Sequence, residues 1–558
     1  MKEKILSLLN KESLGVNQAA LLLAFFAFLA QILGLVRDRA LASIIGPSET
    51  LDIYYAAFKI PDLIFISVAS LASVVVLLPI LAEKIKEKEE ARRFFNSIFS
   101  TFAAVLILTS AIVFFLMPWL MRFVVPGFSE GAMEKTVNLS RIMLLSPIFL
   151  GFSTMFGAVT QFFKKFFLFS LLPVLYNFGI LIGVLWFYSI WGTTGLALGV
   201  VLGAFMHFVV QWPVLRRLGF WPRINFRINW PEVQKVTFIS LPRTLGLALG
   251  NITLIILTAL ASKMATGSIS IFNFAIHLQM VPITLIGVSY SMAAFPTLSL
   301  LVGDKEKFFR ELALAGRQII FWSIPAIFLF IILRAQIVRV ILGAGLFDWE
   351  ATRLTAAALA LFAISITAQS LILLFTRAFY AYQRTFRPFF VNLVSAVVTV
   401  VFAFVFIELF KQSDFRLSLE VILRVRDLPE TMILALPLAF SLGSILNAVI
   451  LWQALKRDFT LPGLSLSKTF WQASAGGLVM GLVAYGFLVL FGRVFDLNTF
   501  FGIFAQGFIS GIFGIAVGGS ALWALGNEEI KALTRTLKTK FWKTKVVISE
   551  EAHSPNQH

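Results

Sequence analysis

Residues 17–45 form a long apolar run near the beginning of the printed chain and read NQAALLLAFFAFLAQILGLVRDRALASII. The only charged residues in this run are Arg37, Asp38 and Arg39. A helix rises about 1.5 Å per residue, so the run is long enough to cross the ~30 Å hydrocarbon core of a bilayer. It is continuously apolar and lacks the alternation of a barrel strand. The run therefore predicts a transmembrane helix that stays in the protein as a membrane anchor.

Similar apolar runs recur along the whole sequence. We place them at 52–82, 95–121, 137–161, 168–190, 194–215, 235–262, 270–300, 317–341, 354–381, 388–410, 430–455, 469–491 and 500–524. Of the 558 residues, 59% are hydrophobic and only 14% are charged, whereas soluble domains have about 25% charged residues. The sequence therefore predicts an all-α integral membrane protein of about fourteen transmembrane helices.

The first six predicted helices resemble the next six at an offset of about 219 residues. Residues 41–79 carry LAS, YYAAF, Pro61 and Pro79, and residues 260–296 carry LAS, FNFA, Pro282 and Pro296 in the same order. Residues 157–166 match residues 377–386 at the same offset. Because each unit has an even number of helices, both units cross the membrane in the same direction. They predict two pseudo-twofold-related six-helix lobes around a central cavity, plus two extra C-terminal helices.

The basic residues predict the orientation of these segments. About thirty of the 47 Lys and Arg residues fall in segments that would lie on the side of the N-terminus, which is the positive-inside pattern. The predicted organisation is a cytoplasmic N-terminus (1–16), an N-lobe (17–225), a C-lobe (226–456), helices 13 and 14 (457–525) and a basic cytoplasmic tail (526–558). The net charge of +18 is thereby assigned to topology and to contact with anionic lipid, and nucleic acid is not a predicted partner.

Ionisable residues inside the predicted spans are the candidate binding residues, because a charge in hydrocarbon is costly and usually faces a cavity or a partner. The candidate substrate-binding residues are Arg37, Asp38, Asp52, Lys59, Arg243 and His277. Cations on two facing lobes suit an anionic substrate such as a phosphate or diphosphate head group. Lys59 and Asp62 lie three positions apart on one helix face, so a structural ion pair is the alternative there. Arg37 could instead snorkel to the outer interface, and His277 could be a hydrogen-bonded core residue.

The sequence offers little for catalysis. It has no cysteine and four histidines, which argues against disulfides and against a conventional metal cluster. It contains no His-Glu-x-x-His, P-loop or Gly-x-Gly-x-x-Gly motif. We therefore expect a transporter and not an enzyme. We expect no cofactor, and the sequence does not identify the ion that would drive transport.

Several stretches carry a resemblance to a known family. They are residues 32–38 (ILGLVRD), 57–63 (AFKIPDL), 78–83 (LPILAE), 222–226 (PRINF), 241–246 (LPRTLG), 295–299 (FPTLS) and 378–381 (AFYA). In these the sequence resembles the MurJ (MviN) family, the lipid II flippases of bacterial cell-wall synthesis. That family belongs to the superfamily of multidrug, oligosaccharidyl-lipid and polysaccharide exporters. The resemblance covers nearly the whole chain in order.

The resemblance implies a fourteen-helix flippase of the bacterial cytoplasmic membrane. It would move the sugar-diphosphate head group of lipid II, a lipid-linked peptidoglycan precursor, from the inner to the outer leaflet while the polyprenyl tail stays in lipid. The implied partners are that precursor, membrane lipids and proteins of cell-wall synthesis.

This chain departs from the family at three places. Typical members have arginines where this chain has Gln31, Phe65-Ile66 and His277. Arg243, together with Lys59 and a protonatable His277, is hypothesised to substitute for them. Two alternatives stay open: an exporter of another polyprenyl-linked glycan or amphiphile, and a non-transporting scaffold for cell-wall enzymes. A cavity lined by the cations would favour transport, and a collapsed apolar interface between the lobes would favour the scaffold.

Overall fold

The computed structural model describes residues 16–69, 77, 80–81, 83–224, 229–459 and 466–542. Within these ranges the side chains at 16–21, 69, 239, 242–243 and 536–542 fall outside the description. All regular secondary structure in the described ranges is helical, as the apolar runs predict.

The N-lobe consists of six helices, several of which are interrupted. They are α1 (Val16–Ile44), α2 (Glu49–Ala57, Lys59–Ile64 and the π-helical turn Phe65–Ala69), α3 (Lys88–Val124), α4 (Glu130–Met143 and Leu145–Phe162), α5 (Phe166–Ile182, Gly183–Phe187 and Tyr188–Trp191) and α6 (Thr193–Val209 and Trp212–Leu218).

The C-lobe follows the same order and is succeeded by further helices. Its members are α7 (Trp230–Ala261), α8 (Ser268–Pro282, the π-helical turn Ile283–Val288 and Ser289–Leu300), α9 (Lys305–Ile332 and Arg334–Leu342), α10 (Trp349–Ala363 and Ile366–Ala381), α11 (Phe386–Lys411) and α12 (Thr431–Leu434 and Ala435–Phe459). A surface helix, Ser413–Leu423, lies between α11 and α12. After the C-lobe come α13 (Ser467–Phe491), α14 (Phe500–Ala524) and α15 (Glu528–Trp542).

Eleven helices in the described ranges are long and apolar enough to span a membrane, and the two halves of α10, bent by 44°, would make a twelfth. The predicted span at 52–82 lies partly outside the described residues, and in the span at 17–45 the side chains of residues 17–21 do. The membrane class and the helical fold are thus confirmed, whereas the count of fourteen and the five segment boundaries stay predictions.

The internal repeat reappears in the backbone. Lys164 and Gln383, which are 219 positions apart, both have positive φ angles, of 55° and 58°. The π-helical turns beginning at Phe65 and Ile283 are 218 positions apart, and each follows a proline-containing helix segment. Because a positive φ is uncommon for a residue other than glycine, its recurrence at this spacing supports two copies of one unit.

Glycine allows the closest helix contacts of the N-lobe. A Cβ atom built on Gly183 would lie 2.6 Å from the Cα of Gly199, and one on Gly179 would lie 2.2 Å from the Cα of Gly203. These distances are too short for any side chain, so α5 and α6 pack backbone to backbone. This packing places α5 beside α1, where it contributes to the central cavity.

Candidate functional site

A cavity of about 430 Å³ lies between the two lobes. Helices α1, α2 and α5 of the N-lobe and α7 and α8 of the C-lobe form its wall. The lining residues are Arg37, Leu41, Tyr54, Tyr55, Phe58, Lys59, Asp62, Tyr176, Ile180, Asn251, Leu254, Ile255, Asn273, Ile276, His277 and Met280. Charged and polar side chains therefore share the cavity wall with apolar ones, in contrast to the collapsed apolar lobe interface that a scaffold would have.

Arg37, Asp38 and His277 form a connected group at the cavity wall. The Arg37 guanidinium lies 2.8 Å from the Asp38 carboxylate and donates a second bond to Asn177 Oδ1 at 3.0 Å. The other Asp38 oxygen lies 3.0 Å from His277 Nδ1, and the Asp38 side chain is buried. Because Asp38 is on α1 and His277 is on α8, this contact joins the two lobes. Arg37 and His277 line the cavity, whereas Asp38 lies behind them and holds both.

Lys59 begins the second segment of α2, directly after the interruption at Phe58. Its Nζ lies 3.4 Å from Oδ1 of Asn273 on α8. Both Lys59 and Asp62 line the cavity, but no ion pair joins them in the described part of the chain. The alternative of a Lys59–Asp62 ion pair is therefore not formed in this conformation, in which the ammonium is turned towards the opposite lobe. Pro61 lies between them in the helix, where it removes one backbone donor.

Asp52 lies away from the cavity wall. Its two carboxylate oxygens accept hydrogen bonds from the backbone N–H groups of Gly267 and Ser270, each at 2.7 Å, and from the Ser270 hydroxyl at 2.6 Å. Its side chain is 4% exposed. A carboxylate at a helix N-terminus satisfies free N–H groups and complements the helix dipole. The predicted substrate residue Asp52 thus caps α8 from the other lobe.

Further backbone contacts hold the lobes together on the side where α1 ends and α2 begins. The Leu346 N–H donates to the Ser43 carbonyl at 2.9 Å, and Arg39 Nη1 donates to the Val340 carbonyl at 2.7 Å. Gly345 has a φ of 52°, and a Cβ there would lie 2.2 Å from the Ser43 carbonyl oxygen. We call this the outer contact, since the predicted topology places it at the outer face.

On the side of the molecule opposite the outer contact, a salt bridge lies near the segment that connects the N-lobe to the C-lobe. Lys84 Nζ lies 2.9 Å from a carboxylate oxygen of Glu232 and also bonds Glu90. The hydrogen bonds to Glu90 and Glu232 raise the pKa of Lys84 above its ordinary value. The inner half of α8 is largely exposed there, including Met292 and Leu300.

The last predicted candidate, Arg243, lies on α7, but its side chain is outside the described residues. Its contact with a substrate therefore stays a prediction. Sequence reasoning missed Asn177, Asn251 and Asn273, which line or support the cavity. Their only signal in the sequence is that each is an amide within an apolar run.

The described residues contain no group of three or more His, Asp or Glu side chains that could hold a metal ion. Residues 127–131 read GFSEG, which has the Gly-x-Ser-x-Gly spacing of hydrolase nucleophiles. Ser129, however, caps α4, where its side chain accepts a hydrogen bond from the Ala132 N–H. The expected strand before such a serine is replaced by α3, so the motif has a structural role here.

Comparisons with known proteins agree with this architecture. The family model described as lipid II flippase MurJ matches residues 41–506. The lipid II flippase MurJ of Burkholderia cenocepacia is 26% identical over 480 residues, which is 84% of this chain and 89% of that protein. A solved structure of lipid II flippase MurJ in an inward closed conformation superposes with a TM-score of 0.71 at 21% identity, covering 92% of this chain and 100% of that one.

A second solved structure extends the similarity to a wider group. An inward-facing multidrug resistance MATE family transporter of the MOP superfamily has a TM-score of 0.63 at 15% identity, with 77% of this chain and 94% of that chain covered. At this identity the similarity concerns the fold alone.

Proposed function

We infer that this protein, which belongs to the lipid II flippase MurJ family by the match over residues 41–506, is itself a lipid II flippase. It would carry the sugar-diphosphate head group across the membrane in the central cavity while the polyprenyl tail remains in lipid. The family consists of transporters, so the conclusion is transport and not catalysis. The protein is a multi-pass membrane protein, and we place it in the bacterial cytoplasmic membrane with both termini inside.

One observation carries this proposal: the cavity between the lobes is lined by Arg37, Lys59 and His277, from both lobes. A diphosphate has several acceptor oxygens, and guanidinium, ammonium and imidazolium groups all donate to such oxygens. A collapsed apolar interface between the lobes would have favoured the scaffold instead. Lys59 is the best placed cation, because its single described hydrogen bond is to the neutral Asn273.

The transport cycle requires the outer contact to break. In the closed arrangement, Asp38 binds His277, and Asp52 binds Gly267 and Ser270. A head group entering from the inner side would offer new partners to Arg37 and His277 and so compete with Asp38 for them. This competition would favour the outward-open arrangement, since a ligand shifts the equilibrium towards the state it binds better. The missing family arginines would be replaced by Lys59 and, as we further propose, by Arg243.

The proposal predicts specific binding of lipid II. The experiment is a titration of the full-length protein in nanodiscs with lipid II, with phosphatidylglycerol as an anionic control lipid. Saturable binding of lipid II that the control does not displace, and that weakens in Lys59→Ala, is the expected result. Equal binding of both lipids, or binding indifferent to Lys59→Ala, would remove the basis for this function.

A further inference from the structure

A second concave surface lies on the N-lobe, outside the central cavity. It is a groove of about 700 Å³ between α3 and α4, and bulky apolar side chains such as Phe114, Phe115 and Leu145 line it. Phe115 is 76% exposed although it lies within an apolar membrane helix. Such a surface faces the lipid bilayer, and its volume is in the range of ligand sites, about 300–1,000 Å³. We call it the α3–α4 groove.

Arg141 on α4 places a positive charge in this groove. Its Nε donates to the Phe114 carbonyl at 3.1 Å, and its guanidinium lies 4.8 Å from the centre of the Phe114 ring. No carboxylate lies within salt-bridge distance of it in the described ranges. A carbonyl and a ring give partial compensation only, and a charge within a span normally has an ionic partner. Among the described residues, no anionic side chain therefore balances the charge of Arg141 in the groove.

Two further polar groups line the same groove. The Ser110 hydroxyl is buried, at 4% exposure of the residue, and has no hydrogen-bond partner among the described residues. Asn138 lies three positions before Arg141, on the same face of α4. A guanidinium, a hydroxyl and an amide are all donors, so together they suit a ligand rich in acceptor oxygens. A buried hydroxyl with no partner is costly, which is a separate indication that a ligand belongs here.

Arg141 lies between the head-group region and the middle of the bilayer, as its contact with Phe114 on α3 indicates. Its partner Phe114 lies eight residues before Arg122 on α3, which is roughly 12 Å along the helix. Trp119 lies between them and is exposed, as expected of a residue at the membrane–water interface. Arg141 thus lies roughly 8 Å below the level of Trp119. A phosphate that contacts it is drawn inward from the interface, as happens where a charge within a span thins the bilayer locally.

We propose that the α3–α4 groove binds an anionic phospholipid, with its phosphate against Arg141, Asn138 and Ser110 and an acyl chain along Phe115 and Leu145. A transmembrane helix of another protein fits the groove less well. Interfaces between membrane helices use small residues that allow close approach, whereas this groove is lined by large ones. The site is independent of the central cavity and of lipid II transport.

The test measures the thermal unfolding of the full-length protein in detergent after addition of phosphatidylglycerol or phosphatidylcholine. We expect phosphatidylglycerol to raise the melting temperature of the wild-type protein by several degrees more than phosphatidylcholine does. Arg141→Gln should abolish the difference. Arg122→Gln, which removes an exposed arginine of α3 outside the groove, should retain it.

Bound lipid provides a second readout, and its detection in the wild-type protein does not depend on any variant folding. Native mass spectrometry should detect retained phosphatidylglycerol, and Ser110→Ala or Asn138→Ala should reduce the retained fraction. Equal effects of the two lipids on the wild-type protein, or an unchanged difference in Arg141→Gln, would overturn the proposal. So would crosslinking of a reactive group at position 115 to a membrane protein in place of lipid.

Discussion

Lys59 is the residue on which substrate binding should depend most. Lys59→Ala should weaken lipid II binding by about tenfold or more, since hydrogen bonds to charged groups contribute about 1.5–3 kcal/mol. Arg377→Ala should have a smaller effect, because Arg377 is outside the cavity lining and near the inner end of α10. The measurement is the lipid II titration with both variants at matched folding. A Lys59→Ala protein that binds like the wild type would make Lys59 a structural residue.

His277 on α8 binds Asp38 on α1, and we expect this contact between the lobes to help hold the outer side closed. His277→Arg places a permanent charge beside Asp38, whereas histidine is fully charged only when protonated. The variant should therefore hold the outer side closed for longer. We expect about a fivefold slower external labelling of the cavity, which corresponds to about 1 kcal/mol for a partly exposed ion pair.

The chain has no cysteine, so a single introduced cysteine can report this opening without background. Ile255→Cys lines the cavity, and Ser413→Cys is an exposed control. An impermeant thiol reagent applied from outside should label position 255 more slowly in His277→Arg and more quickly in His277→Gln, with position 413 unaffected. The same labelling rate at position 255 in all three proteins would show that His277 does not affect the opening of the outer side.

The sequence could predict which charged residues matter, but not all of their roles. Arg37, Lys59 and His277 were found because charges within apolar runs are rare, and all three line the cavity. The role of Asp52 was not predictable, since its partners are more than 200 positions away and become visible only when the lobes meet. The Lys59–Asp62 pair failed because spacing on one helix does not reveal a competing partner on another.

At the scale of the helices, close packing of α5 and α6 is required for the N-lobe. A Cβ on Gly199 would lie 2.4 Å from the Cα of Gly183, so Gly199→Ala must separate the two helices. We expect a loss of about 1–3 kcal/mol, as for other overpacked sites. Gly519→Ala is the matched control in α14, where a Cβ meets nothing within 4 Å. Thermal unfolding in detergent should show a lower melting temperature for the first variant alone; equal melting temperatures would contradict the packing.

The existence of the helices was predictable, but their interruptions were only partly so. Continuous apolar runs specify that a segment crosses the membrane. Pro61 predicts a bend in α2, and the interruption at Phe58 fits it, because a proline has no N–H to donate to the carbonyl four residues earlier. The π-helical turn that follows at Phe65 was not predictable. The bend of α10 between Ala363 and Ile366 could not be predicted in this way, because no proline or glycine lies there. Such breaks result from tertiary packing, which periodicity does not contain.

At the scale of the whole molecule, the prediction concerns the orientation of the protein across the membrane. The positive-inside pattern predicts that both termini are cytoplasmic. Reporter fusions at the N-terminus and the C-terminus should therefore both be active in the cytoplasm. Termini on opposite sides would contradict the even number of spans and, with it, the placement of the outer contact at the outer face.

The most direct test of lipid II transport is made in a bacterium depleted of its own flippase. The protein is expressed there, and the fraction of lipid II that an impermeant enzyme can reach from outside is measured. The wild-type protein should restore that fraction to the level before depletion, and Lys59→Ala, at the same amount in the membrane, should restore much less. If the wild-type protein is present in the membrane and lipid II nevertheless remains inaccessible, lipid II is not its substrate.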